Sequence, residues 1–543
     1  MPRALPSTAL ALSLVFGATL AACQGCRTPP PVTVEDDVAP AKPTVRLYLL
    51  STVAGAIEPC GCTKDQLGGV DHLAAFLRAE SAAASSSLVL GAGPMLFGEP
   101  TLRPEQVTQQ SWKAETLAVA AKELGLVAWA PGLNHWAAGG EALSKYVSTA
   151  GSALLAGNVV GVPGVTGVVV REVSGVKVGL IGVAEPRDRA GKLPDGVTTK
   201  SALDAMRAGV EEAKKQGARV LVGLAAIPRG EALRLADAIP ELAVLVLGKP
   251  QETDHNNDGP KPPMRVGTTL VVETSNHLQT VGVVDLYVRA RDTNVLAFAD
   301  ASGIERAEEL VSLAGRIRDL ETRIQSWEKG GKVKAEDLAA RKADLEKLRA
   351  EKAKLEEPMP SPKGSFFRYK LVEVREKLGV DAPMATKLVD YYKRVNEHNR
   401  TAFADRKPQP AAAGKASFIG IEACTVCHDE ERKVFDGTAH AKAYETLEKD
   451  FKEFNLDCVS CHVTGYDKPG GSTVTFVDKL KDVQCEECHG PGSLHARKPD
   501  AKDLIILKPD PQSCVSQCHH PPHVENFDPV AKMELVLGPG HGK

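Results

Sequence analysis

Three pentapeptides in the last quarter of the chain share the form Cys-x-x-Cys-His. They are CTVCH (Cys424, Cys427, His428), CVSCH (Cys458, Cys461, His462) and CEECH (Cys485, Cys488, His489). A fourth copy, CVSQCH (Cys514, Cys518, His519), has one extra residue between its thiols. Two thiols at this spacing match the two vinyl groups of a haem, to which they add as thioethers. The adjacent imidazole then falls beneath the iron as its proximal ligand. Zinc would also use paired cysteines, but gives no reason for a His after every second Cys. A disulfide framework leaves the histidines unexplained. The spacing therefore predicts four covalent c-type haems. The longer loop of the fourth motif must bulge to present both sulfurs.

An iron with two imidazole ligands needs a second histidine from elsewhere. Nine of the fourteen histidines follow residue 420, and four of these are the proximal candidates. His440 (in GTAHAKAY), His495 (in HGPGSLH), His523 and His541 are the candidates for the distal side. His520 directly follows His519 and so points away from the same haem.

The stretch from Phe418 to His495 resembles the cytochrome c-554 family of tetrahaem proteins. IGIEACTVCH, GTAHAKAY, CVSCHVTGY and VQCEECHGPGSLH carry the resemblance. It implies haems stacked in close pairs within a mostly helical or irregular domain. It also implies that one iron can be five-coordinate and open to a small molecule. The extra residue of the fourth motif departs from the pattern. Residues 411–543 hold 15 Lys and Arg against 21 Asp and Glu, net −6, a charge that suits basic redox partners.

The rest of the chain must position these groups. Its 543 residues suffice for several domains, and a net charge of −3 leaves no basic footprint for nucleic acid. Residues 1–23 read as an export signal. Arg3 is followed by an apolar run, Ala9 to Ala22, that is short for a membrane span. Leu20-Ala21-Ala22-Cys23 resembles a bacterial lipobox, with Cys23 as the lipidated residue. Gln24, rather than Asp, follows it and favours the outer membrane. Residues 24–44 are rich in Pro and charge, as in an extended tether.

Over 45–301, short apolar strands alternate with Ala- and Glu-rich helical stretches, an α/β rhythm. The local signatures resemble the calcineurin-like metallophosphatases of the 5′-nucleotidase branch, but with the metal ligands lost. Thr52 and Ala54 stand where that family has Asp and His, and Gly91-Ala92-Gly93-Pro94 replaces an Asp-rich turn. Asn134-His135 survives. Ala225 or Ala226 and Gly248-Lys249-Pro250-Gln251 replace later ligands. Two-metal hydrolysis needs carboxylates and imidazoles to clamp both ions, so this domain is expected not to be a phosphatase. Cys60 and Cys62, in EPCGC, belong to no haem motif. They read as a redox dithiol or a soft-metal site completed by His72 or His135, or as two plain loop thiols.

Residues 302–357 carry Leu310, Leu313, Ile317, Leu320, Ile324 and Trp327 at spacings of three and four. Gly330-Gly331 follows, then Leu338, Leu345, Leu348 and Leu355. This predicts an antiparallel helical hairpin with a coiled-coil seam. Residues 358–414 read as a connecting segment with one strand and one helix, and 415–543 as the tetrahaem domain. The chain as a whole reads as a multidomain, lipid-anchored periplasmic cytochrome that passes electrons between redox partners. The alternative is a haem- or dithiol-dependent reductase or oxidase of a small nitrogen or sulfur compound.

Overall fold

The computed structural model describes residues 42–538 except 60–64, 84–85, 254–255, 290–293, 331–332, 360–361, 522 and 525. The export segment with Cys23, the tether up to residue 41, Cys60, Cys62 and His541 lie outside the described residues.

Strand Val45–Ser51 is buried at every position, as expected of an apolar run covered on both faces. It pairs in parallel with Ser87–Gly93 and antiparallel with Thr280–Tyr287. Leu126–Pro131 extends the sheet beyond Ser87–Gly93. A second sheet is built on Val176–Ala184, Val220–Ala226, Val244–Gly248 and Thr269–Val272, all parallel, with antiparallel edges. Successive side chains of its strands alternate between two cores. Val222, Leu224, Val244 and Val246 face the first sheet, whereas Leu221, Ala225, Leu245 and Leu247 pack under helices Ala202–Lys215 and Arg229–Ala238. The two sheets meet most closely at Gly248, where a Cβ would lie 2.0 Å from the Ala92 carbonyl oxygen. Helices Val70–Glu80, Val107–Glu123 and Ala382–Ala402 contribute buried residues to the first core.

The segment 358–414 is more than a connector. Its strand Phe366–Glu373 pairs antiparallel with Thr280–Tyr287 over eight residue pairs. Its helix Ala382–Ala402 places Met384, Leu388, Tyr391, Tyr392 and Val395 in the main core. The linker composition at its two ends concealed this, because pairing with a strand so far back along the chain leaves no local trace.

Helices Ile304–Gly330 and Ala335–Glu356 pack on each other through Ile317, Ile324 and Leu345. Arg306 bonds the carbonyl oxygens at 354 and 355, Glu321 pairs with Arg349 and Glu328 with Lys342. As one number rises the other falls, so the helices run antiparallel.

From residue 415 onward the helices are short, and the principal apolar cluster comprises only Tyr444, Val459, Val463 and Val477. Buried polar staples hold the remainder. The Glu486 carboxylate, only 2% exposed, accepts the backbone N–H groups of Ile419, Gly420 and Gly492. Gln484 accepts that of Ile421 at 2.8 Å. No described helix is long and apolar enough to cross a membrane.

Candidate functional site

Each Cys-His motif occupies one tight turn. In the first, the N–H groups of Cys427 and His428 both return to the Cys424 carbonyl, at 3.1 and 3.0 Å. In the fourth, Cys518 and His519 return to Cys514 at 3.2 and 2.8 Å. The extra residue is thus absorbed within the turn, and the imidazole still follows the second thiol directly.

The turns meet in pairs. The Cys424 thiol neighbours that of Cys485, and the Cys461 thiol that of Cys518, with Cys461 Sγ 3.7 Å from the Gln517 carbonyl oxygen. The first motif therefore lies against the third, and the second against the fourth.

The imidazoles are arranged as ligands. The ring centres of His428 and His495 lie 6.5 Å apart with planes tilted by 31°, and those of His440 and His519 6.1 Å apart with planes tilted by 43°. Two nitrogen–metal bonds of ~2.0 Å, with ~1.1 Å from each nitrogen to its ring centre, span about 6 Å. The ring-centre spacing of each pair is therefore close to that of two imidazoles on one iron. His495 Nδ1 is also a buried nitrogen without a hydrogen-bond partner. Burial pushes His440, His462 and His519 below the usual imidazole value, so the neutral, ligating form prevails at pH 7. His462 Nδ1 lies 2.6 Å from the Ala443 carbonyl, and His489 Nδ1 2.6 Å from that of Ile506. Such bonds fix the tautomer and turn Nε2 outward for a metal.

Of the distal candidates, His440 and His495 thus lie beside proximal imidazoles. His523 lies edge-on to His520, at 5.9 Å. Among the described residues no histidine ring faces His462. Sequence reasoning missed Glu486 and Gln484, whose role comes from backbone donors of the first motif, more than 60 residues away.

In the α/β region, the positions resembling a metallophosphatase centre converge but offer no clamp. Thr52 Oγ1 accepts the Lys249 N–H at 3.0 Å, and Asn134 bonds Glu252 in both directions. The Lys249 ammonium is itself paired with Glu252 and Asp258, so a side-chain cation occupies the cluster. Among the described residues no group of three His, Cys, Asp or Glu side chains could hold a metal. His135 is fully buried and pushed down to about 4 by burial, with Nδ1 on the Gly132 carbonyl. His72 directs Nδ1 to Gly379.

Residues 423–490 match the family of cytochrome c554 and c-prime. Over 97 residues the chain is 37% identical to cytochrome c-554 of Nitrosomonas europaea, covering 15% of this chain and 41% of that protein. The chain thus spans less than half the length of this curated relative. Solved structures similar to the chain include a 5′-nucleotidase precursor from Thermus thermophilus, 17% identical, with a TM-score of 0.45 over 70% of this chain and 62% of that one. Another is the calcineurin-like phosphoesterase YfkN from Bacillus subtilis, 16% identical, with a TM-score of 0.38 over 47% and 87%. The molecule is a multidomain protein: an α/β region built on two sheets is followed by a region whose residues 423–490 match a c-type cytochrome family. Its cofactor is covalently bound haem c.

Proposed function

We propose that this protein is a lipid-anchored periplasmic tetrahaem cytochrome that passes electrons between redox partners. The two imidazole pairs, at 6.5 and 6.1 Å, carry the reading. Cys424 with Cys427, Cys458 with Cys461, Cys485 with Cys488, and Cys514 with Cys518 hold the haems. His428, His462, His489 and His519 are the proximal ligands. His495 completes the first site and His440 the fourth. Bound haem supplies reversible one-electron chemistry at iron. The protein's contribution is to hold each imidazole neutral and oriented, and to set the motifs against one another in two pairs, so that electrons have short steps. Cys23 provides the anchor, on the outer membrane. The acidic balance of residues 411–543 favours basic partners.

Intact mass of the mature protein, taken with its pyridine haemochrome spectrum, tests this reading. Four haems per chain and a lipidated N-terminus at Cys23 support it. Three haems remove CVSQCH from the set, and none overturns it.

A second reading, reduction or oxidation of a small nitrogen or sulfur compound, is favoured by one observation. Glu58, two residues ahead of Cys60, pairs with Lys452 at 2.7 Å, six residues ahead of Cys458. The chain leading to the CGC dithiol is thereby tied to the chain leading to the second motif. A Cys60→Ser/Cys62→Ser variant distinguishes the readings. An electron carrier keeps its exchange rates with partners, whereas a dithiol enzyme loses turnover of its substrate.

A further inference from the structure

The five residues before the second motif, Glu453 to Asp457, are each bonded by a side chain from helix Val107–Glu123 or helix Ala382–Ala402. Asn396 donates to Glu453 at 2.8 Å and accepts the Phe454 N–H at 3.1 Å. Asn399 donates to the Phe454 carbonyl and to Gln109, both at 2.9 Å. Gln109 donates to Asn455 Oδ1 and accepts the Leu456 N–H, both at 3.0 Å. Gln110 and Lys113 take Asp457 at 3.0 and 2.6 Å.

Gln109, Asn399 and Asn455 are at most 2% exposed. A buried amide left unpaired is costly, so a trio like this tolerates one geometry only. Apolar packing alone would permit sliding. Asn455 also begins the turn that carries the motif: its carbonyl accepts the N–H groups of Cys458 and Val459 at 3.0 and 2.9 Å. A direct line of bonds therefore runs from Gln109, in the α/β fold, to the backbone N–H of Cys458, the first residue of CVSCH, 349 positions later in sequence. The staples on the other motifs come from within the cytochrome region, as with Glu486 and Gln484 for the first and third.

Building on the haem reading above, we propose that Gln109 and Asn399 are positioning residues for the second haem site. Through them the α/β fold sets the orientation of the Cys458–His462 turn, and with it the properties of that haem alone. The cytochrome segment then needs the α/β fold to present a complete second site.

The test uses the full-length holoprotein. Gln109→Ala, Asn399→Ala and the control Val107→Ala, at an exposed position of the same helix, are compared by haem content and redox titration. EPR spectra and amide exchange complete the comparison. Cys458→Ala/Cys461→Ala identifies the second haem's titration wave as the one it removes. The expected result for Gln109→Ala and Asn399→Ala is unchanged haem content, a shift of that wave and its EPR signal only, and faster exchange at the Cys458 and Val459 amides. Val107→Ala shifts nothing. Should Gln109→Ala fail to accumulate, Gln109→Asn carries the test, since its shorter amide cannot reach both partners. A folded Gln109 variant that moves no wave, or moves all of them equally, overturns the proposal. A Cys458→Ala/Cys461→Ala chain with undiminished haem content overturns the haem reading itself, and the proposal with it.

Discussion

Replacing Glu486 by Ala separates the first motif from the third. Glu486 lies inside CEECH, and its buried carboxylate accepts three backbone N–H groups. Ile419 and Gly420, at 3.0 and 2.7 Å, lead into the first motif. Gly492, at 2.7 Å, leads towards His495. Truncation leaves three donors without an acceptor. Each buried, unpaired donor costs about 1–3 kcal/mol. Water entering the vacated space recovers part of this, so the expected loss is about 3–5 kcal/mol, a large share of a native margin of about 5–15 kcal/mol. Glu486→Gln keeps one acceptor oxygen and loses about 1–2 kcal/mol. The assay is chemical denaturation of the holoprotein, with haem quantified per chain. Glu486→Ala is expected to lose stability in this range and haem from the first and third motifs, while the second and fourth retain theirs. A Glu486→Ala protein with four haems and stability within about 1 kcal/mol of the parent refutes the argument, since the bonds would then be worth less than ordinary ones.

His440→Ala and His495→Ala should each leave all haems attached but create one additional iron that binds carbon monoxide, seen as a shift in the ferrous Soret band; no new binding rejects the facing pairs as ligand sets. His135 has its folded value lowered to about 4 against 6.5 unfolded, so between those values the unfolded chain binds a proton that the native chain does not. Stability from this residue is complete above pH 6.5 and falls as pH drops to 4, by about 3 kcal/mol in total; His135→Leu should flatten that part of the denaturation profile, and an unchanged slope rejects the assignment. Because the Lys249 ammonium occupies the degenerate cluster, metal analysis should find iron and no second stoichiometric transition metal, and added Mn²⁺ or Zn²⁺ should elicit no phosphoesterase activity. Hydrolysis of a generic phosphoester at enzymatic rates would contradict this.

What was legible in the sequence follows from the range of the interactions. The haem motifs are local, because five or six consecutive residues hold both thiols and the proximal imidazole. The strands Val45–Ser51, Ser87–Gly93 and Val220–Ala226 were legible because a strand buried on both faces is a continuous apolar run. The hairpin declared itself by its heptad spacing. Strand Phe366–Glu373 is legible as a strand within the connecting segment, but not as a member of the main sheet. Its place is decided by pairing with Thr280–Tyr287, a long-range choice that its own residues do not encode. The distal histidines were legible as a set of candidates, since imidazole is scarce elsewhere. Which of them meets which motif depends on tertiary closure. The Gln109–Asn399–Asn455 trio gave no signal, because amides on helix surfaces are ordinarily solvated.

The contrast between the two halves bears on why they share a chain. The α/β half has two extensive apolar cores and folds by ordinary burial. The cytochrome half has a four-residue principal cluster and relies on buried polar staples. Such staples specify a geometry well but contribute only about 1 kcal/mol each net. Haem supplies the missing apolar mass, yet it can be attached only once both thiols of a motif are presented together. For the second motif, the surface of the α/β region fixes the approach: five successive residues are held before the first cysteine is reached. A fold whose cation cluster is filled by its own lysine thus retains a use as a rigid support. The part of it that touches the second motif is then the faces of helices Val107–Glu123 and Ala382–Ala402, away from the lysine-filled cluster.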